Sequence, residues 1–326
     1  MTDIFSERID KNQTLAEALL PFCRLKPGEI WEDPRGKHRV GCGDAIDSSF
    51  VKRIHASLPK SKLAVHDPPY NMVFGDQLPV DSFINWCKSW IELTFAILSK
   101  DSALYVWLGA DQKNHFQPLP GFMQMMADSG FVSRSFITMR NQRGYGTQQN
   151  WMALRQELLY YAKGSPAFGV QFTEIPKILR GYYKTVNGQL TENLERGKSP
   201  NIRAGNVWVD IQQVFYRMEE NINGCYAQKP LKAIERIISA SSSPGDVVTD
   251  FFAHSGTTLL ACERLIRSCV TFDINPIFAE ITIRRLEHYR KTGRTGWQRS
   301  HPFENELKNK LWKKLGARVS ATPASF

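Results

Sequence analysis

Val247-Val248-Thr249-Asp250-Phe251-Phe252-Ala253-His254-Ser255-Gly256-Thr257-Thr258 reads as a strand, a tight turn and the start of a helix. Ser243-Pro244-Gly245-Asp246 supplies the turn before the strand. A short apolar run bounded in this way is the mark of a buried strand. The helix runs from Thr257 to about Ile266, and a second strand covers Ser268 to Phe272 and ends at Asp273. Asn275-Pro276 then opens a helix that reaches about Tyr289, with Pro where the first helical turn tolerates it. Strand, helix, strand, helix at this spacing predicts an α/β domain with a parallel sheet.

The same stretch predicts a ligand. Backbone amides at the start of the Thr257 helix can approach a small molecule, and an acid at the tip of the next strand can accept hydrogen bonds from ribose hydroxyls. Asp250, Phe252, His254, Ser255, Gly256, Thr257, Thr258 and Asp273 are therefore candidate cofactor-binding residues. No Gly-Lys-Ser/Thr ending and no full Gly-x-Gly-x-x-Gly is present, so ATP and dinucleotides fit poorly. A cofactor with ribose but without pyrophosphate fits better, and S-adenosylmethionine is the obvious one. Lys229, just before Pro230, is a candidate partner for its methionine carboxylate. It reads equally as an ordinary surface lysine at a helix start.

Working back along the chain, the apolar run Leu63-Ala64-Val65-His66 ends in Asp67-Pro68-Pro69-Tyr70. The prolines fix φ and hold the segment extended, and Asp67 stands where open α/β sheets place their ligands. A planar base stacked on Tyr70 could set an exocyclic amine against the Asp67 carboxylate and the Pro68 carbonyl. The competing reading is a surface turn with Tyr70 capping a core. Another strand, His38-Arg39-Val40, runs into Gly41-Cys42-Gly43-Asp44 and ends in a glycine-flanked acid.

Between these motifs, Ser82 to Leu98 reads as a helix, with Phe83, Trp86, Trp90, Leu93 and Ile97 at three- and four-residue spacing. Ala103–Leu108, Phe131–Met139 and Glu157–Tyr161 read as strands, and the polar, Gly-rich segment 141–151 as a loop. From 164 to 226 regular alternation is lost, and Arg180, Tyr182, Tyr183, Lys184, Arg196, Lys198, Arg203 and Trp208 are scattered among Gly, Pro and Asn. This segment is expected to be an inserted surface module. Pro230 opens a helix with Leu231, Ile234, Ile237 and Ile238 on one face.

The 326 residues suffice for one large α/β domain with insertions, and the net charge is +10. From Arg290 to Phe326 nine Lys/Arg stand against Glu304 and Glu306, which reads as a frayed basic end or as a polyanion contact. The six cysteines form no CxxC pair and no zinc spacing, so free thiols in a reducing compartment are expected. No signal peptide or membrane-length apolar run is evident; a cytoplasmic protein is expected.

Taken together, the motifs resemble those of site-specific DNA amino-methyltransferases of the β arrangement, in which the catalytic motif precedes the cofactor motif. The resemblance runs from about Lys26 to Trp297. Asp67-Pro68-Pro69-Tyr70 is similar to the family's catalytic motif, Gln228-Lys229-Pro230 to the segment around the methionine moiety, Asp250 to Thr258 to the cofactor loop, and Asp273 to the ribose-binding acid. Gly43-Asp44, with Ala45 beside it, is similar to the segment near the cofactor adenine. The resemblance implies a Rossmann-like S-adenosylmethionine-dependent methyltransferase fold with circularly permuted motif order. It implies a lead-in over 1–30, a catalytic half over 31–163, a target-recognition region over 164–226, a cofactor half over 227–297 and a basic extension over 298–326. No metal is called for.

The implied activity is methyl transfer to the N6 amino group of adenine in a base flipped out of double-stranded DNA. Asp in the motif's first place is, in the family, more often an adenine than a cytosine signature. Cytosine N4 is the alternative, and a catalytically silent DNA-binding member of the fold another; RNA and protein methyltransferases resemble the opposite motif order. The resemblance also brings in a cognate restriction endonuclease and a second copy of the chain as partners, and nothing in the sequence selects either. Two departures stand out. His254 takes the place of the first glycine in the family's Phe-x-Gly-x-Gly, and Gly224-Cys225-Tyr226-Ala227 stands where His-Pro-Thr is usual. A positive φ at His254 would strain it by about 1–2 kcal/mol.

Overall fold

The computed structural model describes residues 8–72, 77–111, 113–145, 149–177, 183–192, 199–298 and 300–308. The chain opens with α1 (Gln13–Leu19), which runs into a 3-10 turn (Leu20–Phe22), and then β1 (Ile30–Glu32), β2 (His38–Cys42), α2 (Ser48–Ile54) and β3 (Ser61–His66). Next come α3 (Val80–Ile97), β4 (Leu98–Trp107), α4 (Leu119–Met126), β5 (Val132–Tyr145) and β6 (Ala153–Lys163). Short strands follow: β7 (Phe172–Pro176), β8 (Tyr183–Val186), β9 (Gln189–Glu192), β10 (Asn201–Arg203) and β11 (Val207–Trp208). The last part holds α5 (Leu231–Ser241), β12 (Val247–Asp250), α6 (Thr257–Arg264), β13 (Ser268–Asp273), α7 (Pro276–Thr292) and α8 (Glu304–Lys308).

One nine-stranded sheet runs in the order β1-β2-β13-β12-β3-β4-β6-β5-β11. Strands β2, β13, β12, β3 and β4 run parallel to one another, while β1 is antiparallel to β2 and β6 is antiparallel to both β4 and β5. From β12 the chain passes through α6 to β13 on one side; from β3 it passes through α3 to β4 on the other. The two crossovers diverge between β12 and β3, and that split opens a crevice at the strands' carboxyl ends.

Alternation along the strands sends residues to opposite faces. Leu63, Val65, Tyr105 and Trp107 join Ile234, Ile237, Leu260 and Leu286 in a core beneath α5, α6 and α7. Ala64, Leu104 and Val106 join Phe50, Phe83, Trp90 and Phe122 in a core beneath α2, α3 and α4. A third cluster packs Ile9, Leu15 and Leu19 against Ile222, Cys225, Phe278, Ile281 and Phe303. The expected stripe on α3 holds, although Trp86, Leu93 and Ile97 are only partly buried and Cys87, Ile91 and Thr94 share the core face.

Three expectations are corrected. Segment 141–151 is not wholly a loop: β5 extends to Tyr145, which pairs with Ala153 of β6. Its polar residues misled because an antiparallel ladder tolerates a solvated face. Segment 164–226 is not wholly a surface module. Although β7 pairs β10 and β8 pairs β9, β11 joins the main sheet beside β5, carrying Trp208 into the core with Ile211. A two-residue strand is too short to announce itself by periodicity. The end of the chain is not wholly frayed either, since Phe303 is buried and α8 follows it. Arg180, Tyr182, Arg196, Lys198, Arg299, Lys310, Lys313, Lys314 and Arg318 lie outside the described residues. No helix among the described residues is long and apolar enough to cross a membrane.

Candidate active site

The acids picked out from the sequence collect along one edge. Asp44 follows β2, Asp273 ends β13, Asp250 ends β12 and Asp67 follows β3, so all four stand at the carboxyl ends of neighbouring parallel strands. At the β12/β3 split is a cleft whose walls include Asp67, Lys229, Trp107, Asp250, the Phe252–Ser255 turn, Thr257 and Thr258.

On its β3 wall the Tyr70 hydroxyl donates to Asp67 Oδ1 at 2.8 Å. Burial and the adjoining Asp67 push the Tyr70 phenol well above its ordinary value, so it stays a neutral donor. Pro68 is buried and Pro69 exposed. Gly109, beyond β4, gives Tyr70 its room: a Cβ there would fall 2.7 Å from Met72 Sδ and 2.8 Å from Tyr70 Cδ2. Across the cleft, Lys229 Nζ donates to Asp67 Oδ2 at 2.8 Å. It also lies 5.2 Å from the Tyr70 ring centre and 5.3 Å from that of Trp107. Lys229 thus reaches the catalytic-motif acid.

The turn after β12 is held by side chains at its back. Asp250 accepts from the Phe252 amide at 2.9 Å and from the Thr258 hydroxyl at 2.6 Å. His66 Nδ1 accepts from the Phe251 amide at 3.2 Å, which leaves its Nε2–H to face Thr94 Oγ1 at 3.0 Å. These contacts fix the imidazole between the two halves of the site. His254 has φ +43°, so the strained case holds. Its amide donates to Asp273 Oδ2 at 2.9 Å, and its ring stands edge-on to Phe278 with centres 4.6 Å apart. Gly256 has φ +72°, and a Cβ there would meet the Thr282 Cα at 2.9 Å. Glycine is required both by the left-handed turn and by the close approach of α7.

Arg285 of α7 is a part of the site that sequence reasoning missed. Fully buried, it donates to the Ser255 carbonyl at 2.9 Å, Thr257 Oγ1 at 3.0 Å, the Thr295 carbonyl at 2.8 Å and the Glu220 carbonyl at 3.3 Å. The signal was available, since Arg285 continues the apolar face of Phe278, Ile281 and Thr282, where a charge is out of place unless it is paired. Gln228, named in the sequence only as part of Gln-Lys-Pro, anchors that segment: its amide donates to the Glu220 carbonyl at 2.7 Å and accepts from the Ile222 amide at 3.2 Å. In the Gly224–Ala227 departure, Cys225 fills the core and Ala227 takes φ +60°.

Asp44 and Ala45 do not line the cleft. Asp44 lies two strands away and accepts from the Ile46 amide at 3.1 Å; Ala45 is buried. They are tied to the site through Asp273, whose carbonyl accepts from the Gly43 amide at 3.0 Å. The donors are one ammonium and turn amides, and beyond the cleft wall the Asp273 carboxylate at the tip of β13 is an acceptor. The Trp107 Nε1–H on the same wall is buried and meets no acceptor among the described residues. This set suits a zwitterionic, ribose-bearing ligand and lacks the cationic cluster a polyphosphate needs. No metal-holding cluster occurs among the described residues.

A family model described as DNA methylase, of the N6/N4 type, matches residues 61–284. Type II methyltransferase M.HpaI of Haemophilus parainfluenzae is 28% identical over 254 residues, covering 76% of this chain and 74% of its own. Type II methyltransferase M1.MboII of Moraxella bovis is 28% identical over 267 residues, covering 77% and 96%. DNA adenine methyltransferase YhdJ of Escherichia coli is 27% identical over 256 residues, covering 76% and 83%. Among solved structures, the PvuII DNA methyltransferase, cytosine-N4-specific, is similar with a TM-score of 0.55 at 15% identity over 85% of this chain and 99% of that one. M1.HpyAVI, solved in complex with SAM, gives 0.52 at 18% over 76% and 98%. The shared fold is the Rossmann-like one of S-adenosylmethionine-dependent methyltransferases.

Proposed function

The chain belongs to the DNA methylase family, and from that premise we propose that it is a site-specific methyltransferase acting on N6 of adenine in a base flipped out of duplex DNA. Membership makes it an N6/N4 DNA methyltransferase that uses S-adenosylmethionine. Transfer to an exocyclic amine is supported by Asp67, held by Tyr70 and facing the Phe252–Thr257 turn across the cleft, and the choice of adenine by Asp in the first place of the motif. The name of YhdJ, an adenine methyltransferase, also supports it. The fold likeness to a cytosine-N4 enzyme keeps N4 of cytosine as the second reading.

In this reading Asp273 and Asp44 hold the ribose and adenine ends of the cofactor, and the turn from Phe252 to Thr258 holds its amino-acid end. The bound cofactor supplies an electrophilic methyl group on a sulfonium. Asp67 and the Pro68 carbonyl accept hydrogen bonds from the exocyclic amine, pulling its lone pair out of ring conjugation. They also stabilise the positive charge that develops on nitrogen. Tyr70 supplies the stacking face for the flipped base. Residues 164–226 serve as the target-recognition region between a catalytic half over 31–163 and a cofactor half over 227–297. A homodimer and a cognate restriction endonuclease complete the proposal as partners.

Single-molecule sequencing of DNA from methylation-deficient cells expressing the protein tests the reading. N6-methyladenine at one short motif is expected. N4-methylcytosine would move the activity to the second reading, and unmodified DNA would refute both.

A further inference from the structure

We propose that Lys229 is a positioning residue that keeps the acceptor half of the cleft closed until a cofactor fills the other half. The inference rests on the methyltransferase reading above and adds a binding order to it.

One ammonium covers the groups the acceptor base needs. Lys229 Nζ takes Asp67 Oδ2 at 2.8 Å, while Asp67 Oδ1 is already engaged by the Tyr70 hydroxyl. The same ammonium lies over the Tyr70 ring, on which a flipped base would stack. The Lys229 side chain is 8% exposed and that of Asp67 22%, so the pair is closed to solvent on most sides. An amine that gains positive charge as it is methylated cannot be stabilised by a carboxylate that an ammonium already neutralises. Lys229 therefore has to leave Asp67 before transfer.

The backbone of Lys229 is fixed, so the departure is a side-chain motion. Gln228 before it is bonded on both amide atoms, Pro230 follows it, and its own carbonyl accepts from Thr257 Oγ1 at 3.3 Å. Lys229, His254, Ser255 and Thr257 share the same cleft, so its flexible stem can turn from Asp67 toward the start of α6. A cofactor, or its demethylated product, that brings its amino-acid carboxylate into this space attracts the ammonium away from Asp67. Lys229 would then free Asp67 Oδ2 and the Tyr70 face together. Cofactor and acceptor binding are thereby coupled, and the coupling must be reciprocal.

The test uses the full chain, S-adenosylhomocysteine, and a duplex carrying 2-aminopurine at the position that sequencing identifies as methylated. In the wild-type protein S-adenosylhomocysteine should tighten duplex binding at least tenfold, about 1.4 kcal/mol, and the duplex should tighten S-adenosylhomocysteine binding by the same factor. The 2-aminopurine fluorescence should rise only when both are present. Lys229→Met should raise fluorescence without S-adenosylhomocysteine and bring the coupling to within twofold of unity; Lys229→Arg should retain it. Equal wild-type flipping with and without S-adenosylhomocysteine, or unchanged coupling in Lys229→Met, would overturn the proposal. The wild-type measurements decide it even if the Met variant does not fold. Unmethylated DNA in the sequencing experiment would instead sink the underlying function.

Discussion

The His254 amide donates to Asp273 Oδ2 at 2.9 Å, so the residue that turns the chain through a left-handed φ is pinned by the acid at the tip of the next strand. The substitution of His for glycine at this point is a trade between backbone strain and ring packing. The strain costs about 1–2 kcal/mol, and the edge-on contact with Phe278 returns about 0.5–1.5 kcal/mol. His254→Gly removes both and should change stability by less than about 1 kcal/mol. His254→Ala keeps the strain and loses the ring, and should be the less stable variant by about 1 kcal/mol in urea denaturation.

Burial pushes the Asp273 carboxyl up to about 6, while the amides of Asn275 and His254 pull the other way. A ribose hydroxyl donates more strongly to the carboxylate than to the acid. Cofactor affinity should therefore fall as pH drops through about 6, by at most about tenfold for each unit below it. The raised value gives the free protein the opposite trend: its share of stability is full below the ordinary Asp value and is lost as pH rises through about 6. His254, held down to about 4 by burial, stays neutral in the upper part of this window. Calorimetric titration with S-adenosylhomocysteine between pH 5 and 8 checks the slope, which Asp273→Asn should flatten.

Arg285 keeps its charge although burial lowers it to about 10, with Glu220 opposing that shift. Arg285→Met would strip donors from the Ser255 and Thr295 carbonyls and leave the buried Glu220 without its countercharge. A loss of about 3–5 kcal/mol is expected. Arg285→Lys should recover only part, because one ammonium cannot reach acceptors spread around a planar fork. Denaturant midpoints of the three proteins decide the point.

The sheet edge was legible because each acid there closes an apolar run: Val247–Asp250, Ser268–Asp273 and Leu63–Asp67 all show strand and tip together. Contacts that cross the chain were not. Lys229 and Asp67 are 162 positions apart, and no local pattern reports a side-chain pair that only the β12/β3 split brings together. Lys229 was read toward a carboxylate of the cofactor; the carboxylate it meets within the chain is that of Asp67. Trp208 was taken for surface because its strand spans two residues, whereas its ring is buried by contacts made elsewhere in the fold. Arg285 was legible in principle, as a charge on an apolar helical face.

Asp67 has two bonded oxygens with different duties, and paired substitutions separate them. Asp67→Asn keeps an acceptor for the Tyr70 hydroxyl but removes the charge that meets Lys229 and the reacting amine. Single-turnover methyl transfer should fall by about a hundredfold to a thousandfold, with S-adenosylhomocysteine affinity unchanged or tighter because Lys229 is released. Tyr70→Phe keeps the stacking ring and loses only the bond to Oδ1, so its loss should be near tenfold. Tyr70→Ala removes the ring and should also weaken flipping, read as lower 2-aminopurine fluorescence at saturating protein. If Asp67→Asn and Tyr70→Phe lost transfer equally, the charge would not be the larger contribution, and Asp67 would serve mainly as an anchor for Tyr70.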